Sequence, residues 1–124
     1  MNKADFREWL EVYKAAWEGG DPNKLVTLFA PDAVYEEAPF ADPMRGRNAI
    51  RRYWEAGAQR AQRGVRLTYE IYMMEGDIGL CHWHCAFERV PSGERVELDG
   101  IFRCVFAADG KCRHFQEWWH RRKA

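Results

Sequence analysis

Apolar positions recur every three or four residues in the first part of the chain and at alternate positions in the second half. Phe6, Trp9, Leu10, Tyr13, Ala16 and Trp17 share one face of a helix predicted over 6–18, with Asp5 placed to cap it. The stretch "EGGDP" ends that helix, and Asp21 followed by Pro22 opens a short second one through Leu25, Leu28 and Phe29 that stops before Pro31. "APDAVYEE" reads as a turn and a short strand, "APFADPM" as a loop, and "GRNAIRRYWEAGAQRAQRG" as a third helix with Ile50, Tyr53 and Trp54 on its inner side. Four β-prone runs follow: "VRLTYEIYMME", "IGLCHWHCAFERV", "ERVELDGIFRCVFA" and "KCRHFQEWWH". The dividers "GD", "PSG" and "ADG" carry turn chemistry, so the runs predict an antiparallel meander. Helices first and a twisted sheet afterwards is an α+β order, and 124 residues suit one domain spanning 1–124.

Register follows from the turns. With four-residue loops at 91–94 and 108–111, Trp83 is expected opposite Phe102 and Phe102 opposite Glu117, with Cys81, Cys104 and Phe115 in the next row. One sheet face then carries Cys81, Trp83, Cys85, Leu98, Gly100, Phe102, Cys104, Phe115, Glu117 and Trp119. The other carries His82, His84, Asp99, Ile101, Arg103, His114, Gln116, Trp118 and His120. Gly100 is expected to leave room for the indole of Trp119, and Asp99 to pair with His120.

Composition narrows the classes of function. Basic and acidic residues balance at 19 each, so no overall field draws the chain to nucleic acid or to an anionic membrane. Charges every few residues in "MNKADFREWLEVYKAAW" argue against a signal peptide or a membrane span and predict a cytoplasmic protein. The four cysteines lack C-x-x-C spacing, and Cys81 and Cys85 on one strand would lie about 13 Å apart, so reduced, buried thiols are expected. "HWH" puts His82 and His84 on one strand face, where two imidazoles could bind zinc or iron with a third ligand. The competing reading, a mixed polar and aromatic dimer face with Trp118 and Arg103, is preferred, and no metal is expected.

Glu36 and Glu37 end a strand, where alternate side chains face opposite sides, so one of the two must point inward. Glu117 also falls on an apolar face, where a carboxylate is costly unless partnered. If Glu37 and Glu117 are neighbours, repulsion and desolvation would raise the pKa of one, which is how a carboxylate comes to work near neutral pH.

"GDPNKLVTLFAPDAVYEEAPFADPMRGRNAIRRYW", followed by an antiparallel sheet ending "DGKCRHFQEWWH", resembles the SnoaL-like branch of the nuclear transport factor 2-like superfamily over nearly the whole chain. The resemblance implies a cone-shaped α+β barrel of the cystatin-like kind. Three N-terminal helices would pack on a strongly curved, mostly antiparallel sheet, around a deep apolar pocket, with homodimers through the outer sheet face. That superfamily includes isomerases, cyclases, dehydratases and epoxide hydrolases beside pure binding domains, so the fold alone does not choose a reaction. Its ketosteroid isomerase members, known for pKa tuning, would place their general base at Glu37 and their oxyanion tyrosine at Tyr13. The position of their second, acidic donor is Phe102 here, and the Asp-Arg-Asp set of the epoxide hydrolases has no counterpart on the inner face.

The resemblance turns the Trp83 face inward. The expected lining is Trp17, Tyr35, Phe40, Trp54, Cys81, Trp83, Cys85, Phe102, Cys104, Phe115 and Trp119, with Glu37, Tyr13 and Glu117 as the catalytic set. Glu37 is expected to accept a hydrogen bond from Tyr13, and Glu36 to be solvated. The implied activity is a cofactor-independent isomerase, cyclase or dehydratase on a small hydrophobic carbonyl compound. The alternative is a ligand-binding or dimerisation domain without turnover.

Overall fold

The computed structural model describes residues 1–124. Helix α1 spans Lys3–Glu18 and α2 Pro22–Val26; strand β1 (Phe29–Glu36) and the two-residue β2 (Met44–Arg45) lead into α3 (Gly46–Trp54). A π-helical turn at Glu55–Gln59 precedes β3 (Gln62–Glu75), β4 (Ile78–Arg89), β5 (Arg95–Phe106) and β6 (Cys112–Lys123). The six strands form one mixed sheet in the order β2-β1-β6-β5-β4-β3, in which only β1 and β6 run parallel. With β2 and β3 as its edges the sheet is open. The helices cover one face, as the α+β order predicts.

Local chemistry corrects several boundaries. The cap of α1 is Asn2, and Asp5, the third residue of the helix, is its partner in a reciprocal capping box, each side chain accepting from the other's backbone N–H at 2.9 Å. The second helix ends at Val26, so Phe29 belongs to β1, where the Arg47 guanidinium holds its carbonyl from α3. Pro31 lies inside β1 instead of stopping a helix. It has no N–H for a ladder, and the pairing with β6 is interrupted between Phe29 and Val34. The third helix is shorter than its pattern predicts: Arg60 N–H reaches back to Glu55 O, widening the last turn, and β3 has begun by Gln62.

The β5–β6 register is as expected, with Phe102 opposite Glu117, Cys104 opposite Phe115 and Gly100 opposite Trp119. The β4–β5 register is shifted by two residues, so Trp83 faces Gly100 and Cys81 faces Phe102. The four-residue loop begins one position earlier than expected. Arg89 pairs with Glu94, while the Val90 N–H is turned to Ala61 O at the start of β3. A shift of two keeps every side chain on its face.

Two glycines allow close approaches. A Cβ on Gly79 would meet the Phe6 ring at 2.7 Å, so its absence seats the first turns of α1 on β4. At Gly100 a Cβ would lie 2.0 Å from the backbone oxygen of Trp118. The room goes to the backbone of β6, not to the Trp119 indole.

Candidate active site

Glu117 is the only charged residue in the buried core, 6% exposed at the middle of β6. Tyr13 from α1 and Tyr35 from β1 close over it together with Phe102 and Phe115, and Tyr35 stacks on Phe115 at 4.6 Å. No lysine, arginine or histidine pairs with it. Burial pushes its carboxyl well above the ordinary carboxylate range, the Glu37 charge pushes further, and the Tyr35 hydroxyl offsets part of this. The same burial raises the phenols of Tyr13 and Tyr35, with the Glu117 charge adding to both. Tyr53, on the inner side of α3, is raised by burial and then by the two carboxylates, Glu117 before Glu37. These directions describe one site with two acids and three phenols.

Glu37 lies one residue past β1 and is partly buried. Its Oε2 accepts from the Tyr53 hydroxyl at 3.0 Å, and its backbone oxygen accepts from the Trp119 indole at 2.9 Å. The expected Tyr13–Glu37 bond is not formed; the Tyr13 hydroxyl is buried without a partner. Glu36 faces the other way and meets the imidazole of His114 instead of standing free in water. Sequence reasoning put Tyr53 on the inner helix face without a role. Its spacing from Ile50 and Trp54 was the available signal, since a tyrosine on an apolar face brings a hydroxyl that must find a partner.

Trp17, Tyr35, Trp54, Cys81, Trp83, Cys85, Phe102, Cys104 and Phe115 are all buried on the helix side of the sheet. Burial raises the Cys81 thiol to about 12, and Cys85 and Cys104 rise for the same reason; all four cysteines are unpaired. Two expected lining residues lie elsewhere. Phe40 is fully exposed in the loop between β1 and β2, where nothing packs on it, and Trp119 is 37% exposed at the rim.

The interior itself is filled. Trp83 stacks on Phe102 at 4.8 Å, Trp17 meets Trp54 at 5.3 Å and Tyr13 meets Trp54 at 5.5 Å, so rings occupy the space where a deep pocket was expected. The five cavities all lie at the surface, and none is lined by Tyr13, Glu37 or Glu117. The largest, about 720 Å³, sits between the start of α1 and the β5–β6 turn.

On the outer face His82 bonds Asp99 at 2.8 Å and His84 bonds Glu97 at 3.2 Å. Asp99 is therefore held by His82, not by His120 opposite it. Glu97 also accepts from Arg122, and these two bonds hold its carboxyl below the ordinary range. The two imidazoles of the His-x-His pair thus diverge to separate acids. Tyr72 stacks on His82, and Trp118 is 41% exposed beside them.

Three helices covering one face of a curved, open mixed sheet define the architecture of the nuclear transport factor 2-like proteins, and here the covered face carries an acid without a cationic partner. Within that class, this chain belongs to the SnoaL-like domain family, whose pattern matches residues 6–115. It is 31% identical over 120 residues to a steroid Δ-isomerase of Nocardioides simplex, covering 94% of this chain and 90% of that protein. Two solved structures share the fold. RV0760c of Mycobacterium tuberculosis superposes with a TM-score of 0.85 at 15% identity, covering 100% of this chain and 99% of its own. SalBIII, an epoxide hydrolase/cyclase-like enzyme with a role in pyran ring formation in the polyether salinomycin, does so at 0.80 and 19% identity, covering 92% and 89%.

Proposed function

We propose that the protein is a small-molecule enzyme of the isomerase or cyclase type that moves protons with carboxylates on a hydrophobic carbonyl compound. The observation that carries this reading is Glu37, oriented by the Tyr53 hydroxyl at 3.0 Å beside a second acid, Glu117, that burial keeps toward its neutral form. Similarity to a steroid Δ-isomerase supports the same class. Glu37 takes the proton α to the carbonyl, electrons move to oxygen, and the Tyr13 hydroxyl steadies the resulting enolate. Glu37 then returns the proton to a different carbon, or Glu117 supplies it and takes back the proton that Glu37 holds. A positioned base of this kind contributes about 10² to 10⁴ in rate, and the scheme moves protons only. The ligand enters from the rim near Trp119, displacing ring contacts worth about 0.5–1.5 kcal/mol each.

The test is deuterium exchange at the α carbon of fused-ring ketones, starting with 1-tetralone, followed by proton NMR in D₂O. The expected result is exchange well above buffer in the wild type and near buffer in Glu37→Gln. Exchange at the buffer rate throughout would sink the enzymatic reading.

One observation favours a second reading: the filled interior suits a domain that binds or dimerises without turnover. Dimerisation belongs to either reading. Trp118, Ile101 and the Tyr72–His82 stack on the outer sheet face would pair with a second copy of the chain. Light scattering should then give twice the 14.6 kDa chain mass, and Trp118→Glu should halve it. The buried, unpaired cysteines agree with a reducing compartment, so we place the protein in the cytoplasm. No helix is long and apolar enough to cross a membrane.

A further inference from the structure

Three hydrogen-bond donors in the interior have no protein acceptor within bonding distance: the Tyr13 hydroxyl, which only the Tyr35 hydroxyl approaches, and the indole nitrogens of Trp54 and Trp83. Their residues are 0%, 4% and 1% exposed. Buried donors are almost always partnered, because an unpaired one keeps the full cost of its lost hydration. Elsewhere the same fold satisfies its indoles with protein acceptors. Trp9 donates to Leu28 O, Trp17 to Gln62 Oε1 and Trp119 to Glu37 O. The orphaned donors are also neighbours through their rings. Tyr13 meets Trp54 at 5.5 Å and Phe102 at 5.1 Å, and Phe102 stacks on Trp83 at 4.8 Å. Neither interior carboxylate bonds any of the three.

A group of donors without acceptors selects a ligand that brings its own lone pairs and no competing N–H or O–H. The surrounding walls are aromatic, which favours a flat, apolar frame. We infer that Trp54 and Trp83, with Tyr13, are the specificity-determining contacts that receive the acceptor oxygens of a flat ketone or quinone. Phe102 supplies no donor, so on this assignment the indoles complete the reception of oxygen that Tyr13 begins. A ligand lacking the oxygen would displace the same rings and leave all three donors unpaired, which is the basis of discrimination. The inference rests on the interior being the ligand site, as proposed above, but not on turnover.

Two probes of one shape separate the outcomes: 1-tetralone, which carries the oxygen, and tetralin, which does not. Binding is read by tryptophan fluorescence and by the indole N–H resonances of ¹⁵N-labelled wild-type protein. We expect 1-tetralone to bind at least about tenfold tighter and to shift the Trp54 and Trp83 indole signals, which tetralin leaves in place. Trp54→Phe and Trp83→Phe should each cut the ketone's advantage at least about threefold while tetralin affinity stays within about twofold. Equal affinity for both probes, no binding of either at millimolar concentration, or unmoved indole signals in the wild type would overturn the inference, whatever the variants' folding. Ketone preference without deuterium exchange keeps this inference and ends the enzymatic one; exchange without ketone preference does the reverse.

Discussion

On the outer face of the sheet Glu36 meets His114, Asp99 meets His82, and Glu97 meets both His84 and Arg122. On the covered face, one side-chain alternation away, Glu117 has no basic partner and is surrounded by phenols and aromatic carbon. The chemical group is the same; the company differs. Outside, each carboxylate has a nitrogen within hydrogen-bond reach and water around it. Inside, low polarity and the Glu37 charge favour the neutral acid, and tyrosines offer hydrogen bonds without supplying a cation. Strand parity therefore sorts these carboxylates by company, paired with nitrogens on the outer face and buried without a cation on the covered one.

The sharpest way to break this comparison is across Glu36 and Glu37, which are adjacent in sequence and face opposite sides. Glu37→Gln keeps the shape and the Tyr53 contact but removes the proposed base, so turnover of any identified substrate should fall at least about a hundredfold with affinity little changed. Steady-state kinetics with a binding titration checks both halves. A smaller effect is expected from Tyr53→Phe, which leaves the base in place but frees it to rotate. Here kcat should fall about tenfold while KM stays within about twofold, the pattern of lost positioning. A rise in KM alone would make Tyr53 a plain wall of the site.

How far the site could be read from residues depends on the kind of contact. Which residues share a face was legible, because alternation along β4, β5 and β6 needs no distances and survives the two-residue slip of the β4–β5 hairpin. The slip was not legible, since the Val90 N–H turns to Ala61, a contact with the start of β3 that no hairpin rule contains. Glu37 and Glu117 as neighbours were legible as a condition and are realised as electrostatic coupling. That Tyr53 and not Tyr13 holds Glu37 depends on how α3 docks on β1, which is long-range packing. Phe40 was misread for a related reason: a phenylalanine in a proline-flanked loop has no periodicity to say which way it points.

Glu117 itself tests the inner half of the comparison through stability. Its folded pKa is raised above the ordinary 4.5, so the folded state binds the proton more tightly than the unfolded chain does. The sign follows: this group favours folding at low pH and loses that contribution as pH rises above about 4.5, until the folded carboxyl also ionises. Glu117→Gln removes the titration while keeping most of the shape. At pH 8 the variant should be more stable by roughly 1–2 kcal/mol, about 3–10 °C in Tm, and the gain should shrink toward zero near pH 4. Thermal melts from pH 4 to 8 check it, and a variant that loses stability uniformly would mean Glu117 is held as a charged structural acid.

The smallest effect belongs to Glu36, and its smallness is what makes it informative. Its carboxylate and the His114 ring are 26% and 33% exposed, so water screens their attraction and already solvates much of both. Partly exposed pairs of this kind contribute up to about 1 kcal/mol, and glutamine retains an oxygen that can accept from the imidazole. Glu36→Gln should therefore shift stability by no more than about 0.5 kcal/mol and leave turnover within about twofold of wild type. A large loss of turnover there, with Glu37→Gln active, would place the working acid on the wrong side of β1 for Glu117 and the three tyrosines to act on it. Parity alone would then not be sorting these acids, and the chemistry would have to be sought on the histidine-bearing face.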